Sequence, residues 1–217
     1  MREPRIRRKP VKVSRLEMEA ILDALPEWSP GGRLQPFAVR GRIEATWLSG
    51  FGAETLDVMR ADDLDADGRH LRLHIGNDVA RFGAPRVRLT PRLRRVLLAV
   101  RARGDALLFG RRRTLSHPWL DDAAVRVLDP ARALAFSPWD LRRAWLDQVR
   151  QGHADFLRPA LVSASEAAVL LGRSHCFVDY HTAWTFELTP TTSYRNGAPL
   201  YAVDRLLEWG RERRLTA

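Results

Sequence analysis

Arginine carries most of the positive charge of this chain: 34 of its 36 basic residues are Arg, and the two lysines are Lys9 and Lys12. A planar guanidinium grips phosphate oxygens through two parallel N–H bonds, so arginines grouped in sequence point first to phosphate chemistry. Such groups occur at Arg92, Arg94 and Arg95, at Arg111, Arg112 and Arg113, and at Arg142 and Arg143. Another stands at the start, where residues 1–13 carry Arg2, Arg5, Arg7, Arg8, Lys9 and Lys12 against Glu3 alone, a net of +5. Taken singly, each group reads equally well as a solvated face or a solubilising tail. Together, on a chain of net charge +10, they favour nucleic acid as partner, since phosphate contacts release condensed counterions.

Other reactive side chains form weaker patterns. His175, Tyr180 and His181 lie close in sequence, but their spacing does not make a helical metal pair and zinc would lack ligands. Cys176 is the only cysteine, so an intramolecular disulfide and a Cys-only zinc site are both excluded. Asp62, Asp63, Asp65, Asp67 and Gly68 resemble a calcium loop, yet no bidentate Glu follows at the required offset. Neither a metal nor a cofactor is expected.

The elements that must hold these groups are readable from local signals. Ser14-Arg-Leu-Glu17 is a capping box opening a helix with Leu16, Ala20, Ile21 and Leu25 inward, stopped by Pro26. A mostly buried helix is predicted over 36–49 through Phe37, Ile43, Trp47 and Leu48. Gly50 and Gly52 break it before a short helical piece over 53–59. His70–Ile75 and Arg86–Leu89 alternate polar and apolar and predict a β-hairpin with a long loop. Thr90-Pro91 starts a helix with Leu93, Val96, Leu97 and Val100 inward. A further helix is predicted over 115–128. Ser137-Pro138 starts another, to about 151, burying Leu141, Trp145, Leu146 and Val149. Ser163-Ala-Ser-Glu166 is a second capping box, with its helix ending at Gly172, and a last helix is expected over 199–214. The fold class is mainly α with a small β-hairpin or sheet (α+β), in one domain over 14–217 behind the basic arm 1–13. No apolar run approaches membrane-span length and no secretory signal opens the chain, so a soluble, cytoplasmic protein of a reducing compartment is expected.

Several segments, in order, resemble the catalytic domain of tyrosine recombinases, the phage-integrase family. Ser49-Gly-Phe-Gly-Ala-Glu-Thr-Leu56 is similar to that family's T-G-L-R-x-x-E-L, and Met59-Arg-Ala-Asp-Asp-Leu-Asp65 to its L-R-x-x-D-I-D. Asn77–Gly83 followed by Arg86–Pro91 is similar to its hairpin and strand end. Ser137-Pro-Trp-Asp-Leu-Arg-Arg143 resembles p-H-D-L-R-H, and Leu170-Leu-Gly-Arg-Ser174 resembles L-G-H-s. The resemblance spans residues 14–184 and implies that family's fold.

It also implies a chemistry: a tyrosine attacks the scissile phosphate, two arginines clamp the pentavalent transition state, and a hairpin lysine protonates the leaving oxygen. Position by position, the first arginine falls on Gly52 and the hairpin lysine near Val79, while no lysine follows Lys12. Arg81 could supply charge there, but a guanidinium is a poor proton donor. The H-D-L-R histidine falls on Trp139 and the second arginine on Arg142, in the first turn of its predicted helix, where the dipole also favours phosphate. The L-G-H histidine falls on Arg173, with His175 two residues on. The tyrosine falls on Thr182, or on Trp184 in the shifted register, with Tyr180 nearby. The catalytic set implied by the resemblance is therefore Arg142, Arg173, His175 and Tyr180. The DNA-binding set is Arg5, Arg7, Arg8, Lys9, Lys12, Arg81 and Arg143. The separate N-terminal domain with which family members grip DNA is not expected in the 13 residues before the first helix.

The expectation is a DNA-binding protein of recombinase fold, impaired in cleavage, in an integration or recombination context or as a regulatory remnant. Two alternatives stay open. One is an active recombinase using Tyr180. The other is an interaction protein docking copies of itself or other recombinase subunits through the last helix and its Val203, Leu206, Leu207 and Trp209.

Overall fold

A computed structural model describes residues 10–29, 37–74, 76–110, 118–193 and 197–215. The architecture is mainly α with small antiparallel sheets. Its centre is α2 (Val39–Ser49), which packs against α5 (Pro91–Arg101) and α8 (Pro138–Arg150) and buries Ile43, Trp47 and Leu48. Around it stand α1 (Arg15–Ala24), α3 (Ala53–Val58), α6 (Pro118–Val127) and α7 (Pro130–Ala135). One continuous apolar core runs from Val11 and Val13 through Trp47 and Trp145 to Trp209.

Local sequence explains most of these helices. Ser14 accepts from the Glu17 amide at 3.2 Å while the Glu17 carboxylate accepts from the Ser14 amide at 2.8 Å, the reciprocal cap of α1. Thr90 caps α5 with Pro91 in its first turn, and Ser137 with Asp140 caps α8. The inward face of α1 differs from expectation. Met18, Ile21 and Leu22 are buried, whereas Leu16, at 83%, and Ala20 are exposed. At 3.6 residues per turn Leu16 points about 140° away from Ile21, outside the stripe that Met18 begins.

β1 (His70–Arg72) and β2 (Arg86–Arg88) pair antiparallel with Leu71 opposite Val87, both buried, as the alternation predicts. Their connection is not a plain loop. It contains a helix, α4 (Gly76–Phe82), whose inward residues include Asp78 and Arg81, so apolar periodicity does not reveal it.

The C-terminal third departs furthest from expectation. β3 (Leu161–Ser163) leads straight into α9 (Ala164–Leu171), and after a three-residue turn comes α10 (His175–Ala183). β4 (Thr192–Ser193) and β5 (Pro199–Ala202) then form a hairpin, and β5 also pairs with β3, giving a second sheet in the order β3-β5-β4. The expected last helix over 199–214 therefore begins as a strand, and α11 covers Val203–Glu212. Its apolar face is used inside the chain: Val203, Leu206 and Trp209 are buried, and Trp209 stacks edge-on to Phe177 of α10 with ring centroids 6.2 Å apart. Three of the four residues expected to dock a partner are thus packed inside the chain, and Leu207 is half-buried. Among the described residues no helix is long and apolar enough to cross a membrane.

Candidate nucleic-acid interface

The residues expected to clamp phosphate divide into two places. Arg142 lies in the second turn of α8, not the first, and its Nη2 stands 3.0 Å from Glu166 Oε1. Arg81 on α4 reaches the same oxygen at 2.8 Å and is only 1% exposed. It donates also to the Gly50 carbonyl at 3.3 Å and to Asp78 at 3.4 Å, and lies over the Trp145 ring, 5.2 Å from its centroid. Glu166 Oε2 accepts from the Ser163 amide and hydroxyl at 3.0 and 3.1 Å, so this carboxylate caps α9 and pairs with two arginines at once. Asp78 accepts from the Thr55 hydroxyl and, at 3.3 Å, from the amide of Gly52, where the resemblance implies an arginine. The expectation that Arg81 meets DNA phosphate is corrected: it is an interior ion-pair residue. Desolvating its charge is tolerable only because Glu166 and Asp78 are there to pair it.

Arg143 is exposed on α8, and Lys12 is exposed where the chain enters the fold. The Val11 amide donates to Asp140 at 3.1 Å and the Lys12 carbonyl accepts from Arg132, so the chain is anchored at the start of α8. Arg5, Arg7, Arg8 and Lys9 lie outside the described residues, as does the Arg111–Arg113 triplet.

Arg173, His175 and Tyr180 come together elsewhere, on α10 and the turn before it. That turn is written by two residues. Gly172 ends α9 in the left-handed region (φ +65°), with its amide on Val169 O at 3.0 Å and the Arg173 amide on Ala168 O at 2.8 Å. A side chain there would be strained by φ and would also meet Arg150 Nη1 at 2.9 Å. Two residues later Ser174 caps α10 by accepting from the Phe177 amide at 3.3 Å. Two short helices joined by a three-residue, glycine-containing turn and followed by the β4–β5 hairpin have the element order of a helix-turn-helix with a hairpin wing.

α10 is fastened by one side and open on the other. Val178 is fully buried. Phe177 and His181 pack together at 4.4 Å between ring centroids, and His181 stacks on Trp209 at 5.3 Å. Thr182 Oγ1 lies 2.9 Å from the Tyr201 hydroxyl of β5, whose pKa is raised by burial. His175, Cys176, Asp179, Tyr180 and Ala183 are all exposed. Their spacing of i, i+1, i+4, i+5 and i+8 puts them on one face of the helix. Trp184 and Phe186, both exposed, follow directly, with Phe186 at φ +57° where the chain turns toward the wing.

The charge of this region is balanced. Residues 161–217 hold six arginines and six carboxylates, so the entire excess of +10 belongs to residues 1–160. Among the described residues no group of three or more His, Cys, Asp or Glu could hold a metal ion.

The sequence expectations omit α10 and the wing, although three signals are present: Gly172 as a helix stop, Ser174 as a start, and Asn196-Gly197 as a hairpin dipeptide. Asp179 has no signal of its own in the sequence and gains its place only from the folded helix. No family model, no curated protein and no solved structure matches this chain.

Proposed function

We propose that the protein binds double-stranded DNA through a winged helix-turn-helix, with α10 entering the major groove, and that it does not cleave the duplex. The observation that carries this reading is the outer face of α10, which is packed against the core from behind and left exposed by the described residues. The major groove is about 12 Å wide and admits one α-helix. The short polar and aromatic side chains of this face suit base edges, while the positive charge in residues 1–160 suits the phosphates on either side. The body is read as recombinase-like, with its catalytic arrangement converted into a packing device. Gly52, Trp139 and the absence of lysine after Lys12 remove the expected arginine, histidine and acid, and Arg142 is committed to Glu166. A single lost charge-stabilising donor costs about 10²–10³ in rate, and several are missing together.

Binding of random duplex DNA across a salt series tests the reading. Affinity should fall steeply with salt, and deleting residues 1–9 should flatten the slope by about 0.9 for each phosphate that the arm neutralises. Cys176 is exposed on the reading face and is the only cysteine, so bound duplex should slow its alkylation. Absence of binding at low salt would overturn the proposal. A covalent DNA–protein adduct that disappears in Tyr180→Phe would overturn its non-cleaving part and restore the alternative of an active recombinase.

A further inference from the structure

The outer face of α10 carries one charged residue that ought not to face DNA. Asp179 is exposed, and its Oδ2 lies 2.9 Å from Nδ1 of His175, one turn earlier on the same face, with the two side chains 54% and 53% exposed. A carboxylate brought against a polyanion is repelled unless it accepts hydrogen bonds that replace those it made to water. The major groove offers only two kinds of donor, the N4 amino group of cytosine and the N6 amino group of adenine. They are not equivalent to a carboxylate. Adenine N6 stands beside N7, an acceptor that pushes a second carboxylate oxygen away. Cytosine N4 has a carbon, C5, as its neighbour on the groove edge. A carboxylate therefore prefers cytosine, whereas the amide of asparagine, with a donor and an acceptor, matches adenine N6 and N7 together.

Resting on the placement of α10 in the major groove, we infer that Asp179 is a specificity-determining residue that reads a cytosine through its N4 amino group, with His175 as its positioning residue. The His175 ring engages Oδ2 from the preceding turn and leaves Oδ1 for the base. Fixing the carboxylate before binding removes rotamer freedom that a lone Asp would lose on docking. Tyr180, 55% exposed and next along the same face, covers the adjoining base pair with an aromatic surface.

The experiment is selection of a preferred site from a random duplex library with the full chain, followed by affinities for all four base pairs at each position of that site. At one position C·G should bind roughly ten- to a hundredfold more tightly than the other pairs. Asp179→Ala should bind all four pairs at that position within about threefold of one another. Asp179→Asn should move the preference there to A·T, a gain that a merely structural role for Asp179 could not produce. His175→Ala should narrow the discrimination without changing which base is preferred. The inference is overturned if a site is selected but neither Asp179 variant alters the preference at any position. It is equally overturned if duplex binds with no base preference, although the DNA-binding reading then stands. Absence of any duplex binding overturns both.

Discussion

The Glu166 cluster and the outer face of α10 are built from the same materials, carboxylates facing nitrogen cations or rings, and they sit on consecutive helices. Around Glu166 the groups are largely enclosed: Arg81 and Arg142 converge on one oxygen, and the side chains of Arg81, Glu166 and Arg142 are 1%, 11% and 26% exposed. On α10 the His175–Asp179 pair is open to solvent over half its surface. Burial decides what such a pair can do. An enclosed charge cannot give up its partner without being stranded, so the cluster fixes the packing of α4, α8 and α9. An open pair contributes little to stability and can exchange water for a ligand at small cost. The sharpest way to break this contrast is Glu166→Ala. It should lower unfolding free energy by about 3–5 kcal/mol, since it leaves buried Arg81 with only its longer contact to Asp78 and opens the cap of α9. Asp179→Ala should change it by no more than about 0.5 kcal/mol. Denaturant unfolding monitored through the seven tryptophans measures both. Equal effects would show that the two pairs do the same work.

Gly50 belongs to the enclosed region, since its carbonyl accepts from Arg81. It adopts φ +66°, and an added Cβ would lie 2.2 Å from Cε3 of Trp145. That indole cannot move aside: it is fully buried, and its Nε1 donates to Leu157 O at 2.9 Å. Gly50→Ala should therefore cost about 3 kcal/mol, combining left-handed strain with overpacking, in the same unfolding measurement. Tyr180→Ala probes the open region with the opposite outcome. Its thermal midpoint should stay near that of the parent, because the side chain is more than half exposed and meets the packed ring of His181 only edge-on, while duplex affinity falls about tenfold. A loss of stability together with unchanged DNA affinity would place Tyr180 among the packing residues and weaken the contrast.

The two regions also differ in how far they can be read from sequence. Caps are local, so Ser14, Thr90, Ser137 and Ser163 announce their helices within four residues each. Buried apolar stripes on α2, α5 and α8 are legible for the same reason. The Glu166 cluster is not, because Arg81 and Glu166 are 85 residues apart and nothing in either neighbourhood encodes the other. Arginine groups suggest phosphate, and the fold assigns Arg81 and Arg142 to carboxylates instead. α10 is hidden for a different reason: with Val178 as its one fully buried residue, it shows no apolar stripe for a periodicity to detect. β4 is exposed at both its residues and gives no alternation either. A helix committed to a partner outside the chain loses the inward signature by which helices are recognised. The helix to which we assign the DNA contact is therefore the least visible in the sequence.

A third ion pair, of intermediate exposure, sharpens the comparison from the weak end. Arg132 donates to both oxygens of Glu17, at 2.6 and 3.0 Å, with side chains 36% and 28% exposed. This guanidinium, aided by the Ser14 cap, holds the Glu17 carboxyl at a pKa of about 2, below its ordinary 4.5. A carboxyl depressed in the folded state adds stability that is complete above the ordinary value and is lost as pH falls from about 4.5 toward about 2. Water reaches more than a quarter of each side chain, so screening limits the gain to about 1 kcal/mol. Glu17→Gln keeps a side chain that can close the capping box and removes only the charge. The variant should be about 1 kcal/mol less stable than the parent at pH 7, with the gap closing between pH 4.5 and 2, as read from urea unfolding across that range. A gap independent of pH would mean that the cap geometry, not the charge, supplies the stability. A gap as large as that of Glu166→Ala would show that exposure is not what separates the pairs that hold this fold from the pair that faces outward on α10.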